Sequence, residues 1–516
     1  MLRSFLTVGG WTMLSRILGL VRDQILAALM GAGPMQDAYQ VAVRLPNMFR
    51  NLFGEGALNS AFVPLFTSTL TTEGEEQARS FAREALTLLS LWLVLLCILG
   101  EIFMPQILSF IAPGFSANGG RLDLGVTLSR ITFPYLVLIC AAALVSGVLN
   151  GLHRFSIAAA AYIMFNVVGI FFILCLTPFM ASAAHAAAWG VTASGVVQLG
   201  LLLFAAKRAG FSLLPVLPRL TPRVKLLMKR LGPGLIGSGA TQINLTINTM
   251  IATLLPSGSV SLMYFADRLN QLPLGVLGAA AGTTLLPVLT RHVAEGDETA
   301  LHAAQNRAID YVMMLTLPAT GGLIMLAAPM MMTLFAHGSF TTHDAKLSSQ
   351  CLQAFALGLP AFVMVKVLSP AFFSRGDTVT PVRIGFLTMG VNIALNLVLM
   401  HPLAHVGPPL ASSLSATGNA VILGILLKRR EALRIDPVTR ARLLVMLISS
   451  AVMMLVLAGL TRLLPDFSSL HVIGRILLLG TEIGIGGGVY LGLMHNAGIL
   501  DTSRITARIT RRLSRK

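Results

Sequence analysis

Of 516 residues, 55% are hydrophobic and only 11% charged, and the mean hydropathy is +0.78. Soluble domains carry about a quarter charged residues, so the composition excludes a soluble globular protein and indicates an all-α integral membrane protein. A net charge of +17 invites nucleic acid as a partner, but basic cytoplasmic loops beside anionic lipid account for it in a membrane chain, and no nucleic-acid partner is expected.

A membrane span needs about 20 mostly apolar residues. Fourteen segments qualify, beginning near residues 5, 38, 81, 123, 155, 183, 231, 259, 308, 350, 380, 405, 440 and 470. Residues 1–6 carry one positive charge, and the first apolar segment is interrupted by Arg16 and Arg22, which predicts a retained first span rather than a cleaved export signal. Connections expected on the opposite side from the basic segments, such as GAGPMQ (31–36) and PSGSVS (256–261), are short and uncharged. The connection after the sixth span holds Lys207, Arg208, Arg219, Arg223, Lys225, Lys229 and Arg230. Within it, TPRVKLLMKRL (221–231) reads either as a short basic amphipathic helix on the membrane surface or as a plain start to the seventh span. The connection after the twelfth span holds Lys428, Arg429, Arg430, Arg434, Arg440 and Arg442, and the tail RITARITRRLSRK (504–516) is basic again. An even number of spans puts all three basic segments on one side, so both termini are expected in the cytoplasm. Cys97, Cys140, Cys175 and Cys351 stand singly in apolar segments without metal or redox spacing, which predicts buried reduced thiols.

Shifted by about 224 residues, the chain meets itself. AVRLPNMFRNLFGEGALNSAFVPLF (42–66) lies over ADRLNQLPLGVLGAAAGTTLLPVL (266–289), with Arg44 on Arg268, Gly54 on Gly278 and Pro64 on Pro287. Pro134 then lies over Pro360 and Asn166 over Asn392. An even number of spans per copy predicts two parallel six-helix repeats around a central cavity, plus two extra C-terminal helices. The domains drawn from this are an N-lobe (1–210), a basic cytoplasmic linker with a candidate amphipathic helix (211–230), a C-lobe (231–430), spans 13 and 14 (431–500) and a basic cytoplasmic tail (501–516).

Ten ionisable residues fall within these spans or close to their ends: Arg16, Arg22, Asp23, Asp37, Arg44, Arg50, Glu55, Asp267, Arg268 and Lys366. Each costs about 2.5–3.5 kcal/mol at a bilayer centre, so together they must face a hydrated cavity or pair with one another. Helical periodicity gathers Asp37, Arg44, Asn51 and Glu55 into one stripe able to satisfy itself. Arg50 points elsewhere, so a kink at Pro46 or Gly54, or a wide cavity, is required. Interhelical ion pairs that merely hold a bundle together are the competing explanation, strongest for Asp23 and Asp267 beside their arginines and for Lys366 with its long stem. Six positive and four negative groups leave an excess of two positive charges, which suits a dianion, and the guanidinium fork matches phosphate oxygens.

SRILGLVRD (15–23), RLPNMFRNLFGEGALNSAFVP (44–64), YFADRLNQLPLGVLG (264–278) and FSRGDTVTP (373–381) resemble the MurJ/MviN lipid II flippases of bacteria. That family shares a superfamily with multidrug exporters and polysaccharide-lipid flippases. The resemblance implies a transporter of the bacterial cytoplasmic (inner) membrane, not an enzyme, working by alternating access. Its cargo would be undecaprenyl-pyrophosphate-linked disaccharide-pentapeptide, carried from the inner to the outer leaflet for peptidoglycan synthesis. It implies lipid II, membrane lipids and cell-wall synthesis machinery as partners; no metal or cofactor is expected, and the outward gain of a dianion across an inside-negative membrane makes the membrane potential the expected drive. By motif position it implies Arg16, Arg22, Arg50 and Arg268 as substrate-binding cavity arginines, and Asp37 as an acid near a periplasmic gate. Asp23, Arg44, Glu55 and Asp267 remain for gating or charge pairing, and spans 13 and 14 would form a groove for the lipid tail. Gln271 departs from the family pattern, where an acid is expected. Some relatives bind sodium between spans 7, 11 and 12 through aspartates. Spans 7 and 11 here offer the neutral Asn248, Asn392 and Asn396, so that ion site is not expected.

The rival cargoes are another polyprenyl-pyrophosphate-linked oligosaccharide and a cationic drug. A drug antiporter of the same superfamily would want an acidic cavity. An enzyme acting on the lipid would want convergent carboxylates or a nucleophile with its base. The isolated acids and the ten histidines, mostly in loops, supply neither.

Overall fold

The computed structural model describes residues 2–52, 58–116, 119–465 and 467–500. Within them, side chains are described except at 2–9, 59–60, 119, 233–238, 240–241 and 276–284. Every regular element among the described residues is helical, as a chain in hydrocarbon requires when each backbone polar group must be satisfied internally. Nine helical stretches there are long and apolar enough to cross a membrane, and the protein is a multi-pass membrane protein. The expected spans near 5, 38, 231 and 259 are not among the nine. Those near 5, 38 and 259 carry charged residues within their apolar stretches. The stretch 379–429 counts once although it holds two helices.

Chain contacts divide the protein into two compact units, residues 1–261 with 337–340, and residues 262–336 with 341–516. The first contains α1 (Leu2–Met30), α2 (Pro34–Phe49), α3 (Leu58–Glu73), α4 (Glu75–Ile102), α5 (Met104–Ile111), α6 (Gly119–Thr132), α7 (Tyr135–Gly151), α8 (Phe155–Ala161), α9 (Met164–Leu176), α10 (Ala183–Arg208) and α11 (Pro222–Thr253). Its centre is α7, almost wholly buried and in contact with α3, α4 and α10. Phe62, Phe66 and Phe81 stack beside it at centroid distances of 5.5–5.7 Å. Gly151 permits the approach, since a Cβ there would lie 2.6 Å from the Phe66 ring. Helix α11, which the repeat assigns to the second lobe, packs on α3, α4 and α5 of this unit. It begins at Pro222 and runs unbroken to Thr253, so 221–231 is the start of that helix rather than a separate surface helix. The non-helical segment before it is strapped to α4. Arg83 Nε donates to the Leu214 carbonyl (3.0 Å), Val216 N–H to Thr87 Oγ1 (3.1 Å) and Thr221 Oγ1 to Glu84 (2.8 Å).

At the opposite end of this unit the short loops interlock through their backbones. Ser339 N–H donates to the Ala28 carbonyl at 2.8 Å. Gly338 (φ +58°) is required there, because a Cβ would sit 2.3 Å from that same oxygen.

The second unit holds α12 (Ser259–Glu295) from residue 262 onward, α13 (Glu298–Met325), α14 (Ala327–Phe335), α15 (Thr342–Phe373), α16 (Val379–Leu403), α17 (Gly407–Arg429), α18 (Pro437–Leu463) and α19 (Val472–Asn496). Helix α15 packs along α17, where a Cβ on Gly358 would meet the Ser413 backbone at 2.7 Å. Helix α13 ties down the chain before α18. Gln305 and Asn306 donate to the carbonyls of Ala432 (3.1 Å) and Arg434 (2.8 Å), and Asp310 pairs with Arg442 at 2.9 Å.

Asp377, in the FSRGDTVTP motif, caps α16. It accepts from Thr380 N–H (2.9 Å) and Thr380 Oγ1 (2.6 Å), and pairs with Arg430 at 2.6 Å. These donors, Thr380 foremost, hold its carboxyl well below the usual carboxylate range. A depressed acid contributes stability above its unfolded value, about pH 4, and loses it as pH falls further. Melting of wild type and Asp377→Asn between pH 8 and 3 tests this. The wild-type advantage is expected to be constant down to about pH 4 and to shrink below it.

All four cysteines are free thiols, and Cys97, Cys140 and Cys351 are buried as expected. Cys175 is exposed instead. An apolar neighbourhood does not separate a helix interior from a surface facing lipid, because both are apolar.

Candidate functional site

The charged residues of α1 and α2 are arranged by two local breaks in regularity. Helix α1 places Arg22 and Asp23 in the interior and leaves Arg16 exposed. Arg22 Nε and Nη2 both donate to Asp23 Oδ1, at 3.3 and 2.9 Å. The guanidinium lies over the Phe165 ring of α9 at 4.8 Å, and the close seat is made by Gly169, where a Cβ would be 3.4 Å from Arg22 Cδ. About two turns earlier on α1, the Ser15 carbonyl accepts from Asn166 Nδ2 of α9 at 2.9 Å, which fixes α9 against α1.

Helix α2 contains Pro46, and its α-geometry gives way to a π turn over residues 50–52. The expected departure from an ideal helix is therefore there, four residues after the proline. Arg50 lies in this turn, half-buried, with Nη2 donating to Asn51 Oδ1 at 3.2 Å. Arg44 Nη2 donates to the Leu245 carbonyl of α11 at 3.2 Å. Gly54 and Glu55 lie outside the described residues.

Asp37 is fully buried near the start of α2 and collects four donors. Arg121 Nη2 (3.0 Å) and Gly258 N–H (2.7 Å) meet Oδ2, and Ser261 N–H (2.9 Å) and Oγ (2.5 Å) meet Oδ1. Arg121 is also buried, its guanidinium 4.6 Å from the Phe115 centroid. Helical periodicity places Asp37 in one stripe with Arg44, Asn51 and Glu55, able to satisfy itself. The structure gives it Arg121 from α6 instead, because the N-terminal turn of α2 packs on α6. Arg121 and Ser261 were missed. A signal existed: Arg121 is a cation just after the connection 103–119, which carries no charged residue.

In the second unit, Arg268 is half-buried and lies over the Tyr264 ring at 5.4 Å. Asp267 accepts from Gln271 Nε2 at 3.3 Å, so the glutamine that departs from the family pattern serves as a neutral donor to the acid one turn away. Lys366 is exposed on α15. Asn392 and Asn396 are buried one turn apart on α16, with Asn396 Nδ2 donating to Asn392 Oδ1 at 3.1 Å. Among the described residues, no three His, Cys, Asp or Glu side chains are grouped to hold a metal ion.

The family profile "Lipid II flippase MurJ" matches residues 26–478. The chain belongs to the MurJ family. A probable lipid II flippase MurJ of Rhizobium tropici is 38% identical over 520 residues, 99% of this chain and 97% of that protein. The MurJ relative from Rhizobium meliloti is 41% identical over 428 residues, 82% of this chain and 80% of its own length. The lipid II flippase MurJ of Burkholderia cenocepacia is 31% identical, covering 96% and 97%. Among solved structures, a MurJ in an inward closed conformation is similar with TM-score 0.78 and 24% identity, covering 95% of this chain and 98% of that one. An inward-facing multidrug resistance transporter of the MATE family is similar with TM-score 0.68 and 17% identity, covering 81% and 94%. Both likenesses are of fold. The MurJ fold thus presents buried arginines on α1 and α6 with acids to match, and half-buried or exposed ones on α1, α2 and α12.

Proposed function

We propose that the chain is a lipid II flippase, moving the polyprenyl-pyrophosphate-linked peptidoglycan precursor from the inner to the outer leaflet of the bacterial cytoplasmic membrane for cell-wall synthesis. The observation that carries this is the 38% identity over 99% of the chain with a relative named a probable lipid II flippase. Fourteen spans in two parallel six-span lobes, 1–210 and 231–430, would rock in alternating access. Residues 431–500 would form the lipid-tail groove, and the basic linker 211–230 and tail 501–516 would be cytoplasmic together with the N-terminus. Arg16, Arg22, Arg50 and Arg268 would hold the pyrophosphate. Arg16, exposed on α1, and Arg50, half-buried in a π turn, are the two of the first unit best able to reach an anion. Arg22, neutralised by Asp23, would present the remaining edge of its fork. Asp37, Asp23, Arg44, Glu55 and Asp267 would gate the path or balance charge, and no catalytic residue or metal is assigned. Cell-wall synthesis machinery would take the product.

Two negative charges leaving an inside-negative cell gain about 2.3 kcal/mol each per 100 mV, so the membrane potential alone would bias the direction of movement. The test places purified protein in vesicles with labelled lipid II and reads which leaflet holds the label. Leaflet exchange that slows when the potential alone is collapsed, the pH gradient being kept, is the expected result. Chemically altered lipid would indicate an enzyme. Exchange of a different polyprenyl-pyrophosphate oligosaccharide, or of a cationic drug, with lipid II left in place would transfer the reading to those cargoes.

A further inference from the structure

Helix α19 turns one face inward, carried by Arg475, Leu479, Glu482, Gly486, Tyr490 and Met494. Two of its three polar members have partners. The Arg475 guanidinium donates to the carbonyls of Leu470 (3.0 Å), Ser468 (3.3 Å), Met332 (3.3 Å) and Ala336 (3.4 Å), which caps the C-terminal end of α14. Tyr490 Oη donates to the Met314 carbonyl at 2.8 Å. Glu482 differs. It is 0% exposed, and neither of its carboxyl oxygens has a hydrogen-bond partner among the described residues.

The helices packed on α19 are α18, α14 and α13. Helix α14 has no titratable side chain. Those of α13, Glu298, His302, Arg307, Asp310 and Tyr311, lie in its first half, and Asp310 is engaged by Arg442. Those of α18 are Arg440 and Arg442 at one end and Arg462, exposed, at the other. On α19 itself Arg475 is committed to its four carbonyls and His495 sits in the last turn. Glu482 is residue 11 of the 25 in this helix, so it is also far from either end. A carboxylate with neither donor nor counter-ion, out of water, is far costlier than the neutral acid.

We propose that Glu482 is a proton-binding site, filled while α19 is seated against α13, α14 and α18 and emptied when α19 moves and the carboxyl meets water. The proton is the ligand. It completes a face that would otherwise hold a bare charge, and its release biases the last helix away from its seat. The sign follows from linkage. An ordinary glutamate ionises near pH 4.3, so above that value the displaced state releases a proton that the seated state retains. The seated state is therefore favoured at low pH and loses ground by up to about tenfold per pH unit as pH rises. The proposal concerns α19 alone and does not depend on which cargo the protein moves.

Thermal unfolding of the full chain in lipid nanodiscs between pH 5 and 8 tests it, comparing wild type with Glu482→Gln, which keeps the shape but has no proton to lose. Wild type is expected to match the variant near pH 5 and to fall progressively below it as pH rises. A gap that is the same at every pH overturns the proposal. Glu482→Met serves as a second uncharged variant in case the glutamine does not fold. Independently of both, the infrared carbonyl stretch of a protonated carboxylic acid should be present in wild type at pH 7 and fade as pH rises further. Its absence at pH 7 overturns the proposal. Lipid II exchange by the same variants at pH 7 reads the flippase assignment separately.

Discussion

Alanine at Arg22 alone is expected to cost folded protein, and alanine at Arg22 and Asp23 together to restore it without restoring lipid II movement. The two side chains form a buried pair at 2.9 Å. Removing one partner strands the other, at about 3–5 kcal/mol, against a total stability of about 5–15 kcal/mol for an ordinary domain. Removing both takes away the stranded charge and most of that cost. Monodisperse yield and thermal unfolding read the fold, and the vesicle assay reads transport. If the pair serves only to hold α1 in place, the double variant moves lipid II at the wild-type rate, and the phosphate-clamp assignment of Arg22 is wrong. Arg268→Ala is the companion case. Arg268 is half-buried on a tyrosine ring, so its loss is expected to abolish transport with the folded protein retained.

The second large effect is expected at Asp37. Asparagine there replaces one acceptor oxygen with an NH2 group, and each oxygen already faces two donors. Either amide orientation sets N–H against N–H, and it leaves Arg121 buried beside Phe115 without its counter-charge. The penalty is expected to equal or exceed the usual 3–5 kcal/mol for a broken buried pair. Thermal unfolding of Asp37→Asn measures it. Adding Arg121→Met, which removes the stranded cation and retains an apolar stem, is expected to recover part of the loss. A melting point for Asp37→Asn within a degree of wild type would show that the four contacts contribute little.

Much of this was legible in the sequence because the bilayer is an unforgiving solvent. Composition and span length give an all-helical membrane protein, and the ionisable residues at 16, 22, 23, 37, 44 and 50 stand out against an apolar background. Pro46 announces a break in α2, and the π turn at 50–52 is that break. What the sequence did not reveal is partner choice between distant segments. Helical periodicity ranks neighbours along one helix, so it places Asp37 in a stripe with Arg44, Asn51 and Glu55, whereas packing brings Arg121 from 84 residues away. The same limit hid Glu482 and Arg475. They lie in the last span, outside the ten ionisable residues singled out from the sequence, and Arg475 is drawn to the carbonyls at the end of α14. Cys175 shows the complementary limit, since apolar sequence alone does not separate protein-facing from lipid-facing positions.

Two of the four donors to Asp37, those of Gly258 and Ser261, are main-chain amides. No ordinary substitution at 258 or 261 deletes an amide hydrogen; only proline does. An alanine scan would therefore register Ser261 by its hydroxyl alone, and Gly258 by the strain of a side chain at φ +93° with its Cβ 2.8 Å from the Ala32 carbonyl oxygen, but neither by the amide that holds the acid.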